Sequence, residues 1–158
     1  MNTQAIEVIE TEVALEKAMS LNHSRLISRL TWQLTATYDA KLDVLAELEF
    51  ELSTGNFKPD VAILPKQTYD WKKDVIRFPH PPITAIEVLS PTQAFDAVAS
   101  KIVALYLPAG VQSAWLVVPF INTIYLFLPD DTITGFTLGS TLRDPASGIE
   151  LEIDRIFR

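Results

Sequence analysis

The sequence predicts a protein in which helices flank a mixed β-sheet, an α/β or α+β fold. Three observations favour it: a clear amphipathic helix comes early, apolar strands follow it, and a second helix separates these from further apolar strands. Hydrophobic residues make up 48% of the 158 residues. That is enough for one core, so we expect a single domain over residues 1–158.

Composition excludes several classes of protein. With no cysteine, the chain has no disulfide, no thiolate metal site and no cysteine nucleophile. The formal net charge of −7 opposes binding of nucleic acid by bulk attraction. The apolar runs are shorter than the roughly 20 residues of a membrane-spanning helix, and the acidic N-terminal segment does not resemble a signal peptide. We expect no membrane association and a cytoplasmic location.

Two helices are expected at the N-terminal end. Residues 12–19 predict a short helix, and Asn22 is the expected N-cap of a longer one that runs to about Tyr38. His23 lies at the start of this helix, one turn before Ile27. The apolar positions at helical spacing are Leu26, Ile27, Leu30 and Leu34.

Three strands are expected next. Near-strict alternation over residues 42–52 predicts one half-buried strand, and residues 53–56 form a turn cluster. A second strand follows over residues 59–64. After an irregular surface loop over residues 65–82, the nearly continuous apolar run of residues 83–89 predicts a central strand buried on both faces.

A second long helix is expected to begin near Ser90. Ser90 suits the N-cap, Pro91 the first helical position, and Gln93 completes a capping box. The helix is predicted to run to about Leu107, with Gly110 ending it. Its expected core positions are Phe95, Val98, Ile102 and Tyr106.

The C-terminal third predicts further strands. Residues 113–118 and 123–128 are apolar strands joined by a short turn. Residues 132–138 predict an edge strand, and the alternation of residues 149–153 predicts a last strand.

Two acidic residues occupy positions in apolar strands. Asp60 lies at the entry of the second strand and Glu87 within the central one. A buried carboxylate is costly unless it is paired, hydrogen-bonded or bound to a cation. Each acid alone also fits a strand end that faces water, but two on neighbouring strands predict a site for a hard divalent cation.

An ordered series of motifs surrounds these acids: Pro59-Asp60, Glu87-Val88-Leu89-Ser90-Pro91-Thr92, Lys101, Tyr106, Gly110-Val111, and Trp115 with Pro119. The series resembles that of the putative restriction endonucleases sometimes called the Uma family, in the PD-(D/E)XK nuclease superfamily. The similarity covers roughly residues 20–158. It implies a restriction-endonuclease-like fold with a mixed central sheet flanked by helices.

The resemblance also implies chemistry. Asp60 and Glu87 would bind Mg²⁺ or Mn²⁺, with the backbone carbonyl of Val88 as a third protein ligand, for phosphodiester hydrolysis in DNA. In the plain superfamily pattern a lysine lies two residues after the glutamate, where this chain has Leu89. The resemblance implies that Lys101 in the following helix replaces it.

The position of Lys101 is unusual for that role. It precedes Tyr106 by five residues where four are expected, so in a regular α-helix its direction changes by about 100°. The alternative is a solvated lysine on a helix flank.

Other polar side chains allow two interpretations. His23 falls where the family often has a histidine, so it either assists at the metal or phosphate or is an ordinary helix-start residue. Glu49 or Glu51 either completes the acidic site or belongs to a solvated sheet face. Tyr69 and Trp71, with Lys72 and Lys73 beside them, either contact nucleic acid by stacking and phosphate pairing or pack within their own loop.

These residues fit three functions. The first is a Mg²⁺-dependent endodeoxyribonuclease that uses Asp60, Glu87, Lys101 and His23. The second is a catalytically inactive relative that serves as a binding or assembly module, and the third is a structural protein without a metal. A homodimer is expected, since cutting both strands suits two-fold symmetry. The apolar tail around Ile153, Ile156 and Phe157, or the strand over residues 124–128, is its expected patch.

Overall fold

The computed structural model describes residues 19–158. Its helices and strands, in chain order, are α1 (Leu21–Tyr38), β1 (Leu42–Ala46), β2 (Phe50–Leu52), β3 (Gly55–Phe57), β4 (Val61–Pro65), β5 (Thr84–Val88), α2 (Phe95–Lys101), β6 (Ser113–Val118), β7 (Thr123–Phe127), β8 (Ile133–Phe136), β9 (Thr141–Arg143) and β10 (Glu150–Glu152). A π-helical segment, Ile102–Tyr106, continues α2. No helix among residues 19–158 is long and apolar enough to cross a membrane.

Six strands form the central sheet in the order β1-β4-β5-β6-β7-β8. β5 and β6 are parallel, and the other neighbouring pairs are antiparallel. Every residue of β5 and of β6 is buried, as their nearly continuous apolar runs predict. The expected mixed sheet flanked by helices is therefore confirmed, with β8 as its exposed edge strand.

The two helices cover opposite faces of the sheet. The buried positions of α1 pack with Val61, Ile86 and Val88 in one cluster. The buried positions of α2 and its π-helical extension pack with Ala85, Leu116 and their neighbours in another. Because side chains alternate along a strand, Glu87 lies on the α2 face.

Helix α1 begins two residues earlier than expected. Its N-cap is Ser20, whose Oγ accepts a hydrogen bond from the backbone N–H of His23 at 3.2 Å. Asn22 lies inside the first turn, so its assignment as the cap is wrong. Serine and asparagine cap equally well, and only the backbone geometry distinguishes them. The helix predicted over residues 12–19 lies outside the described residues except for Met19.

The single strand predicted over residues 42–52 is wrong. Glu47 has a left-handed backbone, with φ 56°, which breaks the run into β1 and β2. β2 leaves the central sheet and pairs with β3, while β4 pairs with β1. Alternation is the same on both sides of the break, so the sequence pattern did not show it. The Glu47 N–H donates to the Asp60 carbonyl at 3.1 Å, which brings the break against the candidate site.

Helix α2 begins at Phe95 rather than near Ser90. Residues 90–93 form a turn in which Gln93 N donates to Ser90 O at 3.1 Å and Gln93 Oε1 accepts from Ser90 N at 3.0 Å. Half of the expected capping box is present, but the turn does not continue into a helix. Phe95 therefore lies in the first turn of the shorter helix. It is 39% exposed, so its assignment to the core is wrong.

The C-terminal segment packs into the α1 side of the core. Strand β10 pairs with β9, and Ile149, Leu151, Ile153 and Ile156 are all buried. The last predicted strand is shorter than expected, because Ile153 already begins a 3₁₀ turn. Ile153, Ile156 and most of β7 are buried, so neither expected dimer patch is an exposed apolar surface, and both assignments are wrong.

Candidate active site

The sheet register brings the two acidic residues together. Asp60 immediately precedes β4, and Glu87 is the penultimate residue of β5. The two strands are antiparallel, with Val61 opposite Ile86. The beginning of β4 therefore lies beside the end of β5, and the two carboxylates occupy adjacent positions at that edge.

Asp60 is held by groups from two other elements. Its Oδ2 accepts hydrogen bonds from the backbone N–H of Val88 at 2.7 Å and from His23 Nε2 at 3.2 Å. The bond to Val88 forms where the β4–β5 ladder has already ended at Val61 and Ile86. The N–H and C=O of one residue in a strand point to the same side, so the Val88 carbonyl is directed toward the side of Asp60.

His23 is a buried residue in the first turn of α1. It is 7% exposed, and its Nδ1 has no hydrogen-bond partner among residues 19–158. Its bond to Asp60 places a ring proton on Nε2, because a carboxylate only accepts hydrogen bonds. His23 thus connects the start of α1 to the start of β4, and its contact is with the candidate ligand Asp60.

Glu87 is almost fully buried, at 5% exposed. One of its oxygens, Oε1, accepts a hydrogen bond from the Tyr106 hydroxyl and lies 3.1 Å from Lys101 Nζ. Burial raises the pKa of the Glu87 carboxyl above its ordinary value, and the charge of Asp60 adds to this, while Lys101 and Tyr106 oppose it. Burial and the adjacent Glu87 raise the pKa of Tyr106 as well, so its hydroxyl stays a donor.

The π-helical segment explains how Lys101 and Tyr106 reach the same oxygen. Within it Leu107 N donates to Ile102 O at 3.0 Å, a bond that spans five residues. A π-helical turn is wider than an α-helical one, so residues five apart share a face. The expected change of about 100° in the direction of Lys101 relative to Tyr106 assumes a regular α-helix. In the π-helical segment that change does not occur. The Lys101 ammonium also lies 5.4 Å from the centroid of the Tyr106 ring.

The remaining oxygens suit a hard cation. Among the described residues, no hydrogen bond reaches Asp60 Oδ1 or Glu87 Oε2. Residues 19–158 also contain no group of three or more histidine and acidic side chains arranged to hold a metal ion. Magnesium binds through one or two carboxylates and keeps several waters. Two carboxylates and the Val88 carbonyl are therefore a donor set that fits Mg²⁺ or Mn²⁺.

The family follows from a comparison of the whole chain with known families. The family model Uma2, described as putative restriction endonuclease, matches residues 2–153. The chain belongs to the Uma2 family. The crystal structure of a putative nuclease from Anabaena variabilis is similar, with a TM-score of 0.76 and 22% sequence identity, covering 87% of this chain and 81% of that one. At 22% identity, this structural similarity shows that the two chains share a fold, and that fold is a nuclease fold. No curated protein matches the chain.

Within this Uma2-family fold, Leu89 and Lys101 lie in different surroundings. Leu89, where the plain superfamily pattern has lysine, is half-buried against the core under α2. Lys101 instead reaches Glu87 from the following helix. Sequence reasoning assigned Tyr106 only to the core, although its hydroxyl contacts Glu87. The sequence signal that could have assigned Tyr106 to the site was its position within the motif series, together with its expected burial.

Glu49 and Glu51 do not join the acidic pair. Glu49 Oε1 lies 3.2 Å from Arg77 Nε, and Glu51 is exposed on the β2–β3 hairpin. Neither forms a metal-holding group with Asp60 and Glu87 in the described part of the chain. The interpretation as a solvated acidic face therefore fits both residues.

An open groove of roughly 620 Å³ begins at His23. Its walls are the first turn of α1, residues 89–93, and the turn after β6, which contains Pro119 and Phe120. Phe120 is 96% exposed. Among the described residues that line the groove, His23 alone has an ionisable side chain.

Proposed function

We propose that this Uma2-family protein is a Mg²⁺- or Mn²⁺-dependent endodeoxyribonuclease that hydrolyses phosphodiester bonds in DNA. Asp60, Glu87 and the Val88 carbonyl would hold the metal ion, Lys101 would act on the attacking water, and His23 would position Asp60. Family membership supports the reaction class. The placement of these side chains supports the assignment of roles.

The observation that carries the proposal is the hydrogen bonding of the two carboxylates. Each has one oxygen bound by donors of the protein: Asp60 by Val88 and His23, and Glu87 by Tyr106 and Lys101. These bonds fix both carboxylates in place while leaving a second oxygen on each for a cation. A structural ion pair between Lys101 and Glu87 needs no second acid beside it, and the charge of Asp60 raises the pKa of Glu87. A divalent cation relieves that repulsion.

Lys101 is placed for a role beside the cation. It is held to Glu87 at 3.1 Å, yet its side chain is 34% exposed, so its ammonium contacts both the buried acid and solvent. There it would orient a water molecule and stabilise negative charge as it develops on the phosphate. A bound divalent cation would supply Lewis-acid polarisation of the phosphate and lower the pKa of a bound water.

The second candidate is a catalytically inactive nuclease-fold protein that acts as a binding or assembly module. Two observations favour it: the net charge of −7 and the leucine at position 89 in place of the motif lysine. In that case Lys101 would serve as a permanent counter-ion of Glu87.

The two candidates differ in metal binding. Titration with Mn²⁺, followed by electron paramagnetic resonance, should show a site that is lost in Asp60→Ala. The matched control is Asp39→Ala, which removes an exposed carboxylate at the other end of α1. Supercoiled plasmid should then be nicked by the wild-type protein with Mg²⁺ or Mn²⁺, and not with EDTA or by Asp60→Ala. If Mn²⁺ binding does not depend on Asp60, the nuclease proposal fails and the inactive module is retained.

A further inference from the structure

We propose that Tyr69 and Trp71 form a stacking platform for unpaired bases of single-stranded DNA. The proposal takes its choice of nucleic acid from the proposed nuclease function, but its structural basis is separate. The platform lies in the loop between β4 and β5, away from the groove at His23.

The two rings are arranged as a partial stack. Their centroids are 5.6 Å apart and their planes differ by 17°. Trp71 is 91% exposed. An exposed indole offers a face on which an unpaired base can continue the stack, whereas a paired base in a duplex is already stacked on its neighbours. Base stacking on aromatic side chains is the usual way in which proteins bind single strands without reading their sequence.

The inner ring of the stack is anchored to the sheet. The Tyr69 hydroxyl donates to Asp43 Oδ2 at 3.0 Å, and Gln67 N donates to the same oxygen at 2.7 Å. Asp43 is 6% exposed, and Lys66 Nζ lies 3.1 Å from its Oδ1. Burial alone would raise the pKa of Asp43, but the bonds from Gln67, Lys66 and Tyr69 hold it below its ordinary value. This anchor fixes the platform before any ligand arrives, which reduces the entropy lost on binding.

Two lysines, Lys72 and Lys73, lie beside the platform. The other two cations of residues 66–77, Lys66 and Arg77, are held in ion pairs with acidic side chains. Lys72 and Lys73 are exposed, and among the described residues neither takes part in an ion pair. Both therefore remain available to phosphates. Two lysines without an ion pair beside an exposed aromatic stack favour a polyanion with unpaired bases over an apolar protein partner.

The platform lies on the same face of the sheet as the two acids. Asp43 is opposite Leu64, and side chains alternate along β4, so Leu64, Ala62 and Asp60 point the same way. Four residues of a strand span about 13 Å. The β4 position opposite Asp43, which anchors the platform, therefore lies about 13 Å along the strand from Asp60.

The test measures binding of a labelled oligothymidylate by fluorescence anisotropy, at low salt and with EDTA. The oligothymidylate is longer than the usual single-strand binding sites of about 4–16 nucleotides. Trp71→Ala should weaken binding about tenfold, the effect of losing one stacked base. The matched control is Trp32→Ala, which removes another exposed tryptophan, 59% exposed on α1, and should leave affinity unchanged. The double variant Lys72→Gln, Lys73→Gln should reduce the slope of log K against log salt by about 1.4.

Three results would overturn the platform: no oligothymidylate binding by the wild-type protein, equal affinities of the Trp71→Ala and Trp32→Ala variants, or an equal loss of affinity of Trp71→Ala for a blunt duplex. Because EDTA removes the metal, Asp60→Ala should bind the oligothymidylate as the wild type does. Failure of the nuclease proposal in the Mn²⁺ titration would therefore leave the platform intact, and failure of the platform would leave the metal site intact.

Discussion

Lys101 Nζ lies 3.1 Å from Glu87 Oε1, the same oxygen that accepts a hydrogen bond from the Tyr106 hydroxyl. Lys101 and Tyr106 are five positions apart, and the π-helical segment after Lys101 brings both side chains to one face of the helix. π-Bulges inside helices are rare and frequently mark functional sites. Here the bulge places one cation and one neutral donor on a buried acid.

The helical geometry can be tested by changing the length of the segment. Deleting the exposed Val103 shortens the spacing from five residues to four, which share a face in a regular α-helix. We expect this variant to fold and to keep Asp60-dependent Mn²⁺ binding. Inserting an alanine after Val103 instead rotates Tyr106 by about 100° and should abolish that binding. Equal Mn²⁺ affinities of the two variants would show that the shared contact on Glu87 is unimportant.

The hydroxyl of Tyr106 should matter more to the site than to the core. Tyr106→Phe keeps the buried ring, which packs against Phe57 with ring centroids 5.0 Å apart, and removes the donor to Glu87. We expect a loss of roughly 1–3 kcal/mol in unfolding free energy, the range for removing one partner of a buried hydrogen bond, and weaker Mn²⁺ binding. Urea unfolding and Mn²⁺ titration measure the two effects. Tyr125→Phe, a half-buried tyrosine elsewhere on the sheet, is the control and should change neither.

Glu87 should destabilise the metal-free protein at neutral pH. Burial raises its pKa above the ordinary 4.5, with Asp60 adding to the effect. A carboxyl whose pKa is higher in the folded state contributes stability below the unfolded pKa and loses it as pH rises through the folded pKa. At pH 7, Glu87→Gln should therefore be more stable than the wild type by about 0.5–2 kcal/mol, the usual range for a single stabilising substitution. The gain should disappear below about pH 4.5.

Unfolding by urea in EDTA at pH 7 and pH 4 checks this prediction, with the exposed Glu51→Gln as control. A Glu87→Gln protein that is less stable than the wild type at pH 7 would show that the acid is a structural ion pair with Lys101. If Glu87 is a metal ligand, the variant should also lose Asp60-dependent Mn²⁺ binding.

Asp144 should carry a large part of the stability of the C-terminal segment. It is 2% exposed, and its Oδ2 accepts hydrogen bonds from Ser113 Oγ at 2.6 Å and Trp115 Nε1 at 2.8 Å. Its Oδ1 accepts from Ala146 N at 2.9 Å. The carboxylate thus connects the turn between β9 and β10 to β6.

Asp144→Ala leaves these buried donors without an acceptor, and we expect a loss of about 3 kcal/mol. Guanidinium unfolding followed by circular dichroism measures it. Asp96→Ala, an exposed acid in the first turn of α2, should change stability by less than about 0.5 kcal/mol. A change in Asp144→Ala as small as that control would contradict the role assigned to the carboxylate.

Much of the fold was predictable because its signals are local. The buried face of α1, the apolar runs of β5 and β6 and the edge strand β8 all follow from periodicity within a few residues of chain. The same local signals failed where two conformations share one pattern. Alternation continued through the break at Glu47, and Ser20 and Asn22 were equally good caps for α1.

The sequence by itself determined the fold class, the family and the presence of two acidic residues beside or within apolar strands. Only the tertiary structure decided what surrounds those acids. The register of β4 against β5 places Asp60 beside Val88, α1 brings His23 to Asp60, and the π-helical segment turns both Lys101 and Tyr106 onto Glu87. These relations depend on strand register, helix packing and helical pitch. They are set by contacts between residues far apart in the chain, which a pattern read along the sequence does not contain.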